Sequence, residues 1–200
     1  MHRSAGSEVL RGRGSGPYGS GRLRLRDYLP DWLDERRGPI FVDGTIELLR
    51  TWNLGGDAGN VTLAVAGDLI IDKKLALTNR HDPSTAAGRR LPGIVVFGAP
   101  EPDARPTDVC EGHQHVNGSG RLVMCEQSTL TVDGLIYTRD GMAIEPKAYV
   151  DQVGAMYHDN RGKLNSSFTL KDATLVLRFD PLALSAFGKG IAILSWQQLH

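Results

Sequence analysis

The chain has 200 residues and a mass of 21.7 kDa, with 23 basic and 23 acidic side chains and therefore no formal net charge. That length suits one domain or slightly more. No apolar run approaches the ~18–20 residues of a membrane helix. The two cysteines are too few for a disulfide scaffold, and a neutral total argues against a general nucleic-acid binder. Glycine is the compositional oddity, at 24 of 200 against a usual level of about 7%.

The neutrality is a cancellation. Residues 1–26 hold six arginines (Arg3, Arg11, Arg13, Arg22, Arg24, Arg26) against the single acid Glu8, leaving the remaining chain acidic by five charges. Between Arg11 and Arg22 the segment is glycine, serine and arginine apart from Pro17 and Tyr18, with no apolar period. Burial there cannot offset chain entropy, so 1–26 reads as a flexible segment. It lacks the 7–15-residue apolar stretch of a signal peptide, so an exported protein would take its signal or anchor from outside these residues. Gly14-Ser-Gly-Pro-Tyr-Gly19 matches a dinucleotide fingerprint in letters only, because no strand precedes it and no helix follows. Residues 27–37 predict a short capping helix, with Pro30 in its first turn and Leu29, Trp32 and Leu33 on its buried face.

From residue 38 to residue 200 the pattern is short strands punctuated by glycine. Ile40–Leu48, Val61–Ile71, Ile94–Phe97, Leu130–Tyr137, Met142–Ile144, Ala148–Val150, Val153–Tyr157, Phe168–Leu170 and Thr174–Leu177 alternate or run apolar in β-branched company. A shared unit recurs: Val42-x-Gly44-x-Ile46, Val65-x-Gly67-x-Leu69, Val132-x-Gly134-x-Ile136. Gly44, Gly67, Gly93, Gly134 and Gly154 suggest a repeat of roughly 20–26 residues, the mark of a solenoid. The expected fold is all-β: a right-handed parallel β-solenoid (β-helix), with one inward side chain per position stacking on the next coil. The alternative is an antiparallel β-sandwich with Asp-Gly hairpins; mid-strand glycines flanked by β residues count against it. Two inserts, 78–92 and 98–121, are turn-rich and should project from one face.

Phe41-Val-Asp-Gly-Thr-Ile46, Val61–Ile71, Val132-Asp-Gly-Leu-Ile-Tyr137 and the closing Leu175-Val-Leu-Arg-Phe-Asp-Pro-Leu182 with Ile193-Leu-Ser-Trp-Gln197 form an ordered set. From about residue 39 to residue 200 it resembles the glycine-rich β-solenoid domain of bacterial type IV pilus-associated proteins, the PilX-like or large minor-pilin group. The pilin-type membrane helix those proteins usually carry is absent from this sequence. The resemblance implies a non-catalytic extracytoplasmic, cell-surface module, with pilus subunits or other surface proteins as partners and roles in adhesion, pilus assembly or DNA uptake. It implies no catalytic residue and no cofactor. The arginine-rich tail is the part suited to DNA phosphates.

Cys110 and Cys125 bracket His113 and His115. The four could ligate zinc, but their spacing matches no structural finger. A Cys110–Cys125 disulfide suits an exported protein, and free buried thiols are the third reading. Asp43, Asp68, Asp133 and Asp140 could form a carboxylate row, as on β-helical carbohydrate-active enzymes, yet each lies at or near a glycine where a turn suffices. Arg80, His81, Arg89, Arg90, His113 and His115 are the candidate partner-contact residues of the inserts. A bactofilin-like self-assembling scaffold is a further alternative, which long inserts and cysteines disfavour. Trp196 is expected to close the end of the stack.

Overall fold

A computed structural model describes residues 8–11, 22–25, 40–54, 61–77, 92–99, 103–110, 113–117, 119–159 and 167–180. Within them the chain is all-β, and parallel strands stack as a β-solenoid with no helix. The expected helix over 27–37, the insert residues 78–91 and the closing segment with Trp196 lie outside the described residues.

Each coil is built from three short strands, and the coils define three faces. The first face carries β1 (Glu8–Arg11), β3 (Ile40–Asp43), β6 (Leu63–Val65) and β9 (Ile94–Val96). The second carries β2 (Arg22–Leu25), β4 (Thr45–Leu48), β7 (Leu69–Ile71), β12 (Leu122–Met124), β14 (Gly141–Ile144) and β16 (Ser167–Leu170). The third carries β5 (Thr51–Leu54), β8 (Lys74–Leu77) and β17 (Thr174–Phe179). Two ten-residue strands, β13 (Thr129–Thr138) and β15 (Tyr149–His158), run along the third face, bend, and continue on the first. All these pairings are parallel, which removes the sandwich alternative. The antiparallel pair is β10 (Asp103–Val109) with β11 (His113–Asn117), a hairpin inside the second insert.

Alternation sets the core. Ile46, Leu69, Leu122 and Met142 share one register column of the second face, and Leu48, Ile71, Met124 and Ile144 the next. All are at most 1% exposed. Ile40, Leu63, Ile94 and Ile136 do the same on the first face, and Trp52, Leu75, Leu130 and Val150 on the third. Period-two alternation in the sequence therefore becomes a ladder of like side chains spaced by the ~4.8 Å between strands. Polar residues enter these columns late in the chain. Thr138 and His158 follow Val42, Val65 and Val96 and bond each other, Thr138 Oγ1 to His158 Nδ1. Gln152 follows Leu77 and Val132, and its amide donates to the carbonyls of Gly134 (3.2 Å) and Ala155 (2.6 Å).

The glycines form two columns rather than one repeat. Gly44 and Gly67 lie at the corner between the first and second faces, where a Cβ on Gly67 would strike the Gly44 backbone. Gly134 and Gly154 are register partners at the bend from the third face to the first. A Cβ on Gly154 would collide with the Gly134 carbonyl. Gly93 borders this second corner, its amide donating to the Leu135 carbonyl. Spacings read along the sequence merged two corners because both use glycine for the same close backbone approach.

The segment expected to be flexible also differs in part. Glu8–Arg11 and Arg22–Leu25 pair in parallel with β3 and β4 and extend the stack at its first end. Arg22-Leu-Arg-Leu25 alternates charged and apolar residues and Glu8-Val-Leu-Arg11 is an apolar pair between charges, each too brief to signal a strand alone but able to add to an existing edge.

Candidate functional site

The second insert leaves the stack after Phe97 and returns at Ser119–Arg121. Its re-entry is held by Asp68, which has no exposed surface. Asp68 Oδ1 accepts from the Gly120 amide (2.8 Å), the Arg121 amide (3.0 Å) and the Ser119 hydroxyl (3.4 Å), while the Asp68 amide donates to Thr45 Oγ1 (3.1 Å). One buried carboxylate thus fixes where the excursion over residues 98–118 rejoins the core. Charge-assisted bonds of this kind are about twice as strong as neutral ones.

The hairpin is fastened at its other side by covalent chemistry. Cys110, in the turn after β10, is bonded to Cys125, the residue after β12, with their Cα atoms 5.0 Å apart. Cys125 is 3% exposed and packs with Ile70 and Val123, which face outward from the second face. Cys110 and Ala143 complete this small apolar cluster. The insert is therefore drawn against the outer surface of the solenoid.

Beside the disulfide runs an open polar cleft of about 460 Å³, along the corner between the second and third faces. Its floor is a stack of turns. Gln127, Lys147 and Asp172 adopt the left-handed conformation (φ 62°, 60° and 42°) at successive coils, and the Gln127 amide donates to the Pro146 carbonyl as Lys147 does to Asp172. Ion pairs stitch coil to coil: Lys147 Nζ to Glu126 at 3.1 Å and Lys171 Nζ to Glu145 at 3.4 Å. Glu145 is 3% exposed, so the Lys171 ammonium offsets a charge already removed from water. The Glu126 carboxyl is held below its ordinary pKa by hydrogen bonds from Lys147 and Gln127, although it is exposed. Cys110 and Cys125 both line this cleft.

The zinc set is not assembled. Both sulfurs are consumed in the disulfide and offer no thiolate, the form that binds metal. His113 and His115 sit in β11, opposite Val109 and Thr107 of β10. Among the described residues no group of three or more His, Cys, Asp or Glu is placed to hold a metal ion. The aspartate row is only partly brought together. Asp43, Asp68 and Asp140 lie near the corner between the first and second faces, whereas Asp133 precedes the Gly134 bend on another corner. Arg80, His81, Arg89 and Arg90 lie outside the described residues. The sequence reading missed the hairpin strands, the Asp68 anchor and the Glu145–Lys171 pair. The alternation in His113-Gln-His-Val116 was a usable signal for the first; the other two depend on contacts 51–53 and 26 residues apart.

No protein-family model, curated protein or solved structure matches the chain. Among the described residues no helix is long and apolar enough to cross a membrane.

Proposed function

We propose that this chain is a non-catalytic display module working outside the cytoplasm, in a type IV pilus-associated protein at the cell surface. The solenoid is the stand and the tethered hairpin is the contact element, with pilus subunits or other surface proteins as partners in adhesion, assembly or DNA uptake. One observation carries this reading. A disulfide joins the hairpin turn to the body, and such bonds persist in oxidising compartments. The charged groups beside it are engaged in holding coils and turns together rather than converging on a reacting centre. The basic first segment contributes phosphate contacts when DNA is the partner.

The test is direct. Alkylation of cells before lysis should find Cys110 and Cys125 protected in the surface fraction. Replacing residues 99–118 by a short Gly-Ser linker should preserve the β circular-dichroism spectrum and abolish capture of pilus subunits. A protein found in the cytoplasm with both thiols alkylated, or one whose capture survives loss of the hairpin, would overturn the proposal.

A further inference from the structure

The second insert is clamped at its base. Where the chain leaves the stack and where it returns, the two backbones touch. A Cβ on Gly98 (φ 74°) would strike the Ser119 carbonyl, and one on Gly120 (φ 96°) would meet the Gly98 backbone. Asp68 holds the return side through the Gly120 and Arg121 amides. The Arg139 guanidinium holds the exit side, donating to the carbonyls of Phe97 (3.5 Å) and Ala99 (3.4 Å). None of these contacts is sensitive to a reductant.

The far end of the hairpin is held by a bond that is. Outward positions of a solenoid face ordinarily meet water, yet in the outward column Ile70, Val123, Ala143 the first two are 1% and 3% exposed. Cys110, in the hairpin turn, packs against them. It does so in the left-handed conformation (φ 54°), which costs a residue with a Cβ and persists where the surroundings impose it. The bond is also within reach. Cys110 is half-buried and lines the open cleft, whereas Cys125 is 3% exposed. A thiolate entering the cleft meets Cys110 first.

We propose that the Cys110–Cys125 bond is a redox latch: its reduction by a dithiol frees the β10–β11 hairpin to swing off Ile70, Val123 and Cys125 about a hinge at Gly98 and Gly120, while the coils stay stacked. One thiolate of the dithiol bonds to Cys110 Sγ, and the Cys125 sulfur leaves as a thiolate and takes a proton. The second thiolate of the dithiol then displaces Cys110, which takes a proton in turn. The protein gains two electrons and two protons, and the dithiol departs as a disulfide. Control of the hairpin's contacts in this way rests on the display role proposed above; the hinge and the latch do not, and they are tested without a partner.

Dithiothreitol added to the full chain under native conditions should convert the disulfide to two thiols, read by mass after alkylation. Amide exchange in β10 and β11 should then rise by about a hundredfold, the loop-closure advantage of the bond. Amides of β7, β12 and β14 should keep their protection, and Cys125 should be alkylated as fast as Cys110. Reoxidation should restore the original pattern. Three results overturn the proposal. The first is a disulfide that reacts only after denaturant is added, so that the cleft admits no thiol. The second is a reduced chain in which Cys125 and the hairpin amides stay protected. The third is loss of protection in the coils together with the hairpin, which would make the bond a staple of the whole stack.

Discussion

Replacing Asp68 by alanine removes the acceptor that fixes the return of the second insert. The Gly120 and Arg121 amides, at 2.8 and 3.0 Å from Oδ1, lose their partner together. A hydrogen bond to a charged group is worth about 1.5–3 kcal/mol, and an orphaned buried donor costs a similar amount. Gly120 is buried and bears this loss in full, whereas Arg121 is half-buried and regains part from water. The expected destabilisation is about 3–4 kcal/mol. For a chain of this size that lowers the thermal midpoint by roughly 6–16 °C.

Asn at the same position keeps one carbonyl oxygen for both amides and should lose only about 1–2 kcal/mol. Asp72→Ala is the matched control, because that carboxylate pairs with the exposed Lys73 at 3.1 Å and should change stability by less than about 0.5 kcal/mol. Urea titration followed by circular dichroism gives the free energies, and amide exchange at Gly120 and Arg121 locates the effect. If Asp68→Ala unfolds at the parent's midpoint, or if Asn and Ala are equally damaging, a single oxygen is not what holds the insert.

Gly154→Ala should cost about 2–4 kcal/mol in chemical denaturation, since the new methyl meets the Gly134 carbonyl of the coil below. Replacing both Cys110 and Cys125 by Ser opens a loop with a sequence separation of 15 and should lower stability by roughly 3 kcal/mol, with amide protection lost first in β10 and β11. Burial holds the His158 imidazole below its ordinary pKa of 6.5. The unfolded chain therefore binds a proton before the folded one does, and stability should fall as pH drops below about 6.5 toward the folded value. His158→Gln should flatten that slope in thermal melts at stepped pH; an unchanged slope would remove His158 as its source.

The fold was legible because the solenoid is written locally. Ile40–Leu48, Val61–Ile71 and Leu130–Tyr137 announce their inward positions by alternation, and those positions are the buried ladder. Register between coils was less legible. Gly93 and Gly134 look like members of the Gly44 series until the pairing of Gly134 with Gly154 assigns them to another corner. Asp68 was visible as a glycine neighbour, where a turn sufficed to explain it, but its anchoring role was not, because its partners arrive after the whole second insert. Strands β5 and β8 were passed over since Thr51-Trp-Asn-Leu54 and Lys74-Leu-Ala-Leu77 are brief and gain their pairing only from each other and from β13. The cysteine pair lay in plain view, but its bonding depends on the hairpin turn at Cys110 meeting the end of β12.

These observations divide the labour within the chain. A stack three strands to the coil has little interior, and among the described residues its bore is filled mainly by Ile, Leu and Val, with Trp52, Met124 and Met142. Of the polar groups that penetrate it, the Gln152 amide nitrogen donates to Gly134 and Ala155 and Thr138 Oγ1 bonds His158 Nδ1, whereas Gln152 Oε1, His158 Nε2 and Trp52 Nε1 are buried without a partner. At the second-to-third corner the charges bind coil to coil. On the proposed display role, recognition falls to whatever the stack holds outward at a fixed place. The insert between Phe97 and Ser119 is secured twice, by a carboxylate at its re-entry and by a disulfide at its turn. Two independent fastenings on one excursion cost two buried groups that the solenoid does not need for its own repeat. That expenditure is intelligible when the presentation of the hairpin is what the fold serves.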